Sequence, residues 1–196
     1  MNKKIILFFV LLCTSIQYAS DLTPWLEIKP SYFFFSESPM NEIYDHGGFE
    51  IQGSASIPVY KYLDVYGSIG YRYAGGYALN SDEKTSLNVI PIDIGLKPVF
   101  KFDDHFHYFF AFGPRFFIFH QHNDALFINS SINGGGVGLF VNTGFNIEFA
   151  DSFLLGIFGE YSYEKNTITS NRPNVYSNGP VQMGGFAFGV SLGYAF

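Results

Sequence analysis

Cysteine and charge are both scarce in this sequence. Its 196 residues include one cysteine, Cys13, and only 14% of them are charged. One cysteine excludes a disulfide framework and a cysteine-rich metal site. Acidic side chains outnumber basic ones by 17 to 11, and the basic ones form no cluster, which argues against a nucleic-acid partner. So few charges are also too few to coat the surface of a soluble domain of this length.

Long apolar runs are absent after residue 20, so no transmembrane helix is predicted in the mature chain. The one apolar block lies at the start, where two lysines precede residues 5–13 and a more polar stretch, 14–21, follows them. That order is typical of a secretory signal peptide. We therefore expect residues 1–19 to be a signal peptide and residues 20–196 to be one exported domain.

The position of signal cleavage stays open. The small residues Ser15, Ala19 and Ser20 are all suitable, but none of them completes an A-x-A site. Lipid attachment to Cys13 is a less favoured alternative, because Leu12 before it is larger than the small residue that lipoprotein processing uses.

Aromatic residues and a two-residue alternation are what the chain has in abundance. It contains 24 Phe and 14 Tyr. Apolar side chains recur at every second position in about eight segments, which is typical of β-strands whose two faces meet different surroundings. In the first segment, Leu26 and Ile28 share one face while Glu27 and Lys29 share the other.

Two places depart from this pattern. In the fourth segment, Leu87 and Val89 are out of phase with Ile92, which predicts a β-bulge near Pro91. The glycines at 134–136 lack the lysine and the strand-loop-helix context of a phosphate-binding loop, so we interpret them as the flexible end of a loop.

The connections between segments alternate between long and short. All the long ones fall at one end, as in outer-membrane barrels, whose periplasmic turns are short and whose external loops are long. The pattern predicts an all-β fold, a closed up-and-down antiparallel transmembrane β-barrel of about eight strands. Long connections are expected at residues 36–48, 74–85, 120–134 and 164–181, and short ones at 59–63, 101–106 and 150–152.

The composition of the polar face decides between a soluble and a membrane barrel. A lipocalin-like barrel turns its apolar face inward, whereas a membrane barrel turns it toward lipid. The polar face here consists mainly of Gly, Ser, Ala and Asn, which suit a narrow interior. The apolar face is therefore expected to contact lipid.

Nine charged residues fall on the predicted inner face. An eight-stranded barrel leaves room inside only for side chains, and an unpaired ion in so confined a space costs several kcal/mol. We therefore expect a structural ion-pair plug, in preference to an ion or proton path. Its members would be Glu27, Lys29, Glu50, Arg72, Asp93, Lys97, Arg115, Glu148 and Glu160.

The C-terminal run carries a family resemblance. Apolar residues occupy every second position from Phe186 onward, and the chain ends on an aromatic residue. This run resembles the terminal-strand signature of Gram-negative outer-membrane proteins, and the mature chain resembles the small barrels of the OmpX, OmpA membrane-domain and opacity-protein type. The resemblance implies export through the periplasm to the cell outer membrane, with lipid and lipopolysaccharide around the barrel. It also implies that the barrel-assembly machinery reads Phe188, Val190, Leu192, Tyr194 and Phe196.

Candidate chemistry is sparse. His120 and His122, with Asp124 nearby, and a second His-x-His pair in a predicted turn lack a firm third metal ligand, so no metal or cofactor is predicted. Barrels resembling lipid A deacylases keep His and Ser close in one strand, but here Asn123 follows His122. The serines at 130–131 lie farther along the loop, so no catalytic residue is predicted and no enzyme is expected.

Three classes of function remain open. We favour a non-enzymatic outer-membrane protein that displays external loops for adhesion, surface interaction or an envelope-structural role. A narrow pore or small-molecule channel and a lipid A modifying enzyme are the alternatives. An external or host ligand would meet the polar segments 41–46, 77–84, 123–133 and 166–178, although plain solvated spacers would have the same composition.

Overall fold

Where the structure describes the chain, it consists of antiparallel β-strands and one short helix. The computed structural model describes residues 24–77, 83–103, 105–124, 131–150, 152–167 and 180–196. The expected signal peptide, residues 1–19, lies outside the described residues and stays a prediction. Within those ranges the elements are β1 (Trp25–Phe35), α1 (Ser38–Ile43), β2 (Gly48–Tyr60), β3 (Leu63–Tyr77), β4 (Lys84–Lys101), β5 (Phe106–Asn123), β6 (Ser131–Phe149), β7 (Phe153–Tyr163), β8 (Lys165–Thr167), β9 (Pro180–Gln182) and β10 (Gly185–Ala195).

Eight of these strands close into one barrel. In sheet order they are β1, β2, β3, β4, β5, β6, β7 and β10, and β8 and β9 form a separate two-stranded sheet. The ring is sealed where β1 runs antiparallel to β10, from Trp25 opposite Ala195 to Phe35 opposite Gly185. A sealed ring has no edge strand with unpaired backbone groups. The prediction of an all-β, closed, up-and-down antiparallel barrel is confirmed.

The two faces of the barrel wall have the predicted polarity. Ile28 is 58% exposed, whereas its chain neighbours Glu27 and Lys29 are 3% and 1% exposed. The contrast repeats around the ring and produces the outward apolar belt of a transmembrane barrel. Exposed side chains of this belt include Leu26, Ile51, Ile69, Ile94, Ile118, Leu139, Leu155, Ile157, Phe188 and Leu192.

At the end with the long connections, called the external end after the orientation expected from the sequence, several strands run farther than predicted. The glycines at 134–136, predicted to be a flexible loop end, are paired within β6 opposite residues 117–119 of β5. That prediction is wrong, because pairing with β5 holds the glycines extended. The missing side chain has a local use: a Cβ on Gly136 would lie 2.8 Å from the ring of Phe117, so glycine leaves space for this ring.

The predicted bulge near Pro91 is also wrong. The pairing of β4 with β3 keeps one register from Ile69 opposite Ile92 to Arg72 opposite Val89. Leu87 and Val89 are 2% and 0% exposed and face the interior, in phase with the inner positions of the strand. Both side chains belong to a buried apolar cluster, so their apolar character does not mark the outer face of the strand. The register shift that does occur lies at residues 58–60 of β2.

The helix α1 covers the external mouth of the barrel. Its Met40, and Tyr44 just after it, are buried in an apolar cluster with Phe33, Phe35 and Leu87. Burial raises the pKa of Tyr44 to about 12, because the phenolate would lose its contact with water. Within the described ranges, no helix is long and apolar enough to cross a membrane.

The opposite end, called the periplasmic end after the same expectation, has the short turns that were predicted. Between β4 and β5, an oxygen of Asp103 accepts hydrogen bonds from the backbone N–H groups of His105 and Phe106 at 2.8 and 2.6 Å. These bonds favour the carboxylate and lower the pKa of Asp103. The turn between β4 and β5 is therefore stabilised by hydrogen bonds among its own residues.

Closure of the ring predicts behaviour on gels. The barrel should stay folded in unheated SDS, because its strands pair with one another around a closed ring, and should migrate differently from the boiled chain. Electrophoresis of paired boiled and unboiled samples measures this, with a sample unfolded in urea before loading as the control. Equal migration of all three samples would contradict a closed barrel.

Candidate functional site

Arg115 of β5 is the centre of an ionic layer inside the barrel. Its Nε and Nη2 atoms donate to the two oxygens of Asp93 at 2.6 and 2.7 Å. Nη2 also lies 2.6 Å from Glu160 Oε1, and Nη1 lies 3.2 Å from Glu164 Oε1. All four side chains are 0% or 1% exposed. Charge-assisted bonds of this bidentate kind hold a guanidinium in one orientation.

Arg72 of β3 forms the second half of this layer. Its Nε donates to Glu50 Oε2 at 2.6 Å, and its two terminal nitrogens each lie 3.2 Å from a Glu164 oxygen. The guanidinium carbon is 3.5 Å from the centre of the Phe33 ring. Glu164 therefore bridges both arginines, Arg72 and Arg115, across the barrel.

Glu164 is a member of the arginine layer that the sequence analysis missed. It follows β7 directly and was assigned to a long external connection, yet its side chain is fully buried. A signal was present: Glu160 and Ser162 are inner positions of β7, and one more step of the same alternation reaches Glu164. The interpretation stopped too early because the apolar face ends at Tyr163.

A second ion pair lies nearer the periplasmic end. Lys97 Nζ donates to Glu27 Oε2 at 2.8 Å and to the hydroxyl of Ser56 at 3.1 Å. The amide of Asn146 donates to the other oxygen of Glu27 at 3.1 Å. Lys97 also lies 4.7 Å from the centre of the Phe109 ring. This pair is thus separate from the arginine layer and is satisfied by its own partners.

Of the nine residues predicted to form the ion-pair plug, Lys29 and Glu148 lie apart from the ion pairs described above. Among the described residues, no carboxylate oxygen lies within salt-bridge distance of Lys29 Nζ, which sits 4.2 Å from the centre of the Phe158 ring. The side chain of Glu148 is 21% exposed and lies at the periplasmic rim, 3.7 Å from His107 Nε2. His107 in turn stacks on Trp25.

Apolar and aromatic side chains fill the interior above and below the ionic groups. The external cluster contains Phe117, Phe119 and Met183 in addition to the residues under α1. Tyr66, Ala111 and Phe140 form a small cluster in the middle. At the periplasmic end the cluster consists of Trp25, Val99, Phe109, Leu154, Phe158 and Ala195.

The external histidines lie on the outer face of the wall. His122 Nε2 is 3.2 Å from an oxygen of Asp124, and both side chains are more than half exposed. His120 Nδ1 is hydrogen-bonded to the side-chain oxygen of Asn133 on β6. Ser131 lies opposite His122 in the strand pairing, and Ser130 lies outside the described residues. Among the described residues, no group of three or more His, Cys, Asp or Glu side chains could hold a metal ion.

The terminal strand β10 presents its predicted signature to the outside. Phe188, Val190, Leu192, Tyr194 and Phe196 are 41–64% exposed. Their inward neighbours include Ala187 and Ser191, each 1% exposed.

A closed β-cylinder with an apolar belt outside and paired ions inside defines a transmembrane β-barrel of the outer-membrane type. Solved structures of this type are similar to the chain. The outer-membrane protein OprG of Pseudomonas aeruginosa has a TM-score of 0.68 at 11% identity, covering 89% of this chain and 96% of OprG. Ail, the attachment invasion locus protein of Yersinia pestis, has a TM-score of 0.58 at 12% identity over 89% of this chain and 99% of Ail. Neisserial surface protein A has a TM-score of 0.57 at 15% identity, covering 88% of this chain and 97% of that protein.

Sequence comparison adds no family to this similarity of fold. No protein-family model matches the chain, and no curated protein matches it significantly.

The contacts of Arg115 predict that its replacement strongly lowers the stability of the barrel. In Arg115→Met, three buried carboxylates lose their shared cation, so the free energy of unfolding should fall by about 3–5 kcal/mol. Urea unfolding in lipid bilayers, followed by the fluorescence of Trp25, the one tryptophan of the chain, measures this change.

The matched control is Lys61→Met, which removes the same charge from an exposed position in the β2–β3 turn. This substitution should change the free energy of unfolding by no more than about 0.5 kcal/mol. Equal stabilities of the two variants would contradict the role given to Arg115.

Proposed function

We propose that the chain is a non-enzymatic integral outer-membrane protein, exported with residues 1–19 as its signal, whose barrel anchors an external recognition surface. The observation that carries this proposal is the contrast between the two parts of the molecule. The described interior is packed with side chains, whereas the external strands continue past the apolar belt with polar side chains on their outer face.

Packing of the interior favours an anchor over a channel. Arg72 on β3 reaches Glu164 beyond β7, and Gln52 on β2 lies 3.2 Å from Glu160 on β7, so polar side chains cross the lumen. The cluster under α1 and the periplasmic cluster lie on either side of this layer. A conducted ion would have to break buried pairs that are costly to leave unmatched. These contacts support a structural ion-pair plug, with Glu164 added and with Lys29 and Glu148 outside its salt bridges.

Folded elements at the external end support a recognition role. Of the proposed loop segments, residues 41–46 belong to α1 and the turn after it, and residues 123–124 and 131–133 continue or begin paired strands. Much of 77–84 and of 166–178 lies outside the described residues. Ail, which shares the fold, is the subject of a structure in complex with the heparin analogue sucrose octasulfate. That precedent supports an external ligand here without naming it.

Labelling of intact cells tests the orientation. The mature chain would lack cysteine, since Cys13 lies in the expected signal. Each single-cysteine variant would therefore carry one thiol, at the position under test. Glu42 is an exposed residue of α1, and Glu42→Cys should react with a membrane-impermeant maleimide on intact cells. The control is Lys61→Cys in the β2–β3 turn at the other end of the barrel, which should react only after the outer membrane is permeabilised.

The reverse labelling pattern would overturn the proposed orientation. Stepwise conductance of heat-modifiable protein in planar bilayers would favour the channel instead. A changed lipid A mass spectrum in cells that gain the gene would favour the enzyme.

Assembly is the second part of the proposal: the barrel-assembly machinery reads the terminal strand, and Phe196 is its last contact. Phe196→Ser should lower the yield of heat-modifiable barrel in the outer membrane several-fold. Phe153→Ser is the matched control, because Phe153 is also a half-exposed aromatic at the same end of the barrel. If both variants assemble equally well, the signature has no special role.

A further inference from the structure

Above the apolar belt, the outer face of β3, β4 and β5 becomes polar. Gly75 of β3 lies opposite Ser86 of β4, and Ser86 lies opposite His122 of β5, so these residues form one row across three strands. The row above it contains Tyr77 and Lys84, and the row below it contains Tyr73, Asn88 and His120. The strands thus carry a polar sheet surface beyond the belt, held by regular backbone pairing.

A cavity of about 460 Å³ opens on this surface. Such a volume lies within the range of about 300–1,000 Å³ that is usual for small-molecule sites. Besides the middle row, its walls include Asp45 from the turn after α1, Tyr73 and Tyr77 from β3, Lys84 from β4 and Asp124 after β5. The backbone fixes the walls locally, since the N–H of Asp124 donates to the carbonyl of Lys84 at 3.0 Å.

The aromatic part of the cavity lies beside a glycine of β3. A Cβ on Gly75 would lie 3.4 Å from the Tyr73 hydroxyl, an ordinary contact distance, which places the Tyr73 side chain next to Gly75. Tyr73 and Tyr77 are each about half exposed. They offer apolar ring faces with polar tips, a combination that suits a ligand with both C–H and O–H groups.

The polar groups of the cavity carry both signs of charge. Asp45 and Asp124 can accept hydrogen bonds from hydroxyl groups, while Lys84 can donate them, and His122 lies 3.2 Å from Asp124. Charge-assisted bonds of this kind are about twice as strong as neutral ones. The two carboxylates disfavour a polyanion, and no metal-ligand group is found among the described residues. A ring with many hydroxyls and no net charge fits this arrangement.

We propose that this cavity binds a pyranose sugar, either from the saccharide of the surrounding lipopolysaccharide or from an external glycan. The proposal builds on the proposed function, because the cavity must face the outside of the cell. Tyr73 and Tyr77 pack against the C–H face of the ring, and Asp45, Asp124 and Lys84 bind its hydroxyls.

Nuclear magnetic resonance titration of the full barrel tests this. The protein is folded in a zwitterionic detergent without a sugar head group, because a glucoside detergent would compete. The methyl glycosides of glucose, galactose and N-acetylglucosamine are the neutral probes, used at millimolar concentration. At least one should shift the resonances of Tyr73, Tyr77 and His122 in a saturable way.

Variants separate the cavity from the rest of the surface. Asp124→Ala and Tyr77→Ala should each weaken binding about tenfold, the effect expected for losing one charge-assisted hydrogen bond or one aromatic contact. His120→Ala is the matched control, since His120 lies on the same face of β5 outside the cavity walls and should bind as the parent does. Equal loss in all three variants would overturn the assignment.

Further probes decide between ligand classes. Core oligosaccharide released from lipopolysaccharide, if it binds at least about tenfold more tightly than a monosaccharide, identifies the surrounding lipid as the source, and equal binding favours an external glycan. Shifts with sucrose octasulfate or zinc chloride alone would overturn the sugar proposal, as would no shift with any glycoside. Surface labelling at Glu42→Cys without sugar binding would overturn only this inference.

Discussion

The hydrogen bonds between β1 and β10 are the constraint on which the rest of the structure depends. Lipid offers no partner to a backbone N–H or C=O, so the sheet must close on itself. With eight strands, the closed wall encloses a space that side chains alone fill. A charge on the inner face must then be stabilised by groups within that space, by carboxylates for the two arginines or by an aromatic ring for Lys29. Closure is therefore the reason why Arg115 and Arg72 are matched so completely by Asp93, Glu50 and Glu164.

Confinement also explains why the interior is layered. An arginine that bonds to the opposite wall occupies the full width of the lumen, as Arg72 does when it reaches Glu164. Arg115 and the carboxylates that bind the two guanidiniums fill the rest of the lumen at this height, so an apolar cluster fits only above or below them. Apolar clusters consequently lie above and below the ionic layer, and the upper one extends into α1 through Met40. The short helix thereby becomes part of the barrel's packing, although the long connection that contains it resembled a solvated loop in sequence.

Alternation predicts the face on which a side chain lies, and it predicts little else. It placed Glu27 and Lys97 on the inner face, where they are found, but it could not say that these two pair or that Lys29 lies against Phe158. Partners depend on register and depth, which a period of two does not encode. The same limit explains the missed Glu164: where the apolar face ends, the alternation loses its signal while the strand direction persists. Aromatic inner positions such as Phe33 were equally invisible, because aromatic residues occur on both faces.

Rigidity decides where recognition can reside on such a molecule. Side chains fill the inner face of the described strands and stabilise the barrel, whereas flexible loops lose conformational entropy when they bind a ligand. The polar extension of β3, β4 and β5 avoids both problems, since strand pairing fixes Ser86 and His122 before any ligand arrives. Side chains held on paired strands keep their geometry better than side chains on loops. The buried ions and the external surface are thus connected in a physical sense: the matched interior stabilises the wall whose continuation presents the cavity.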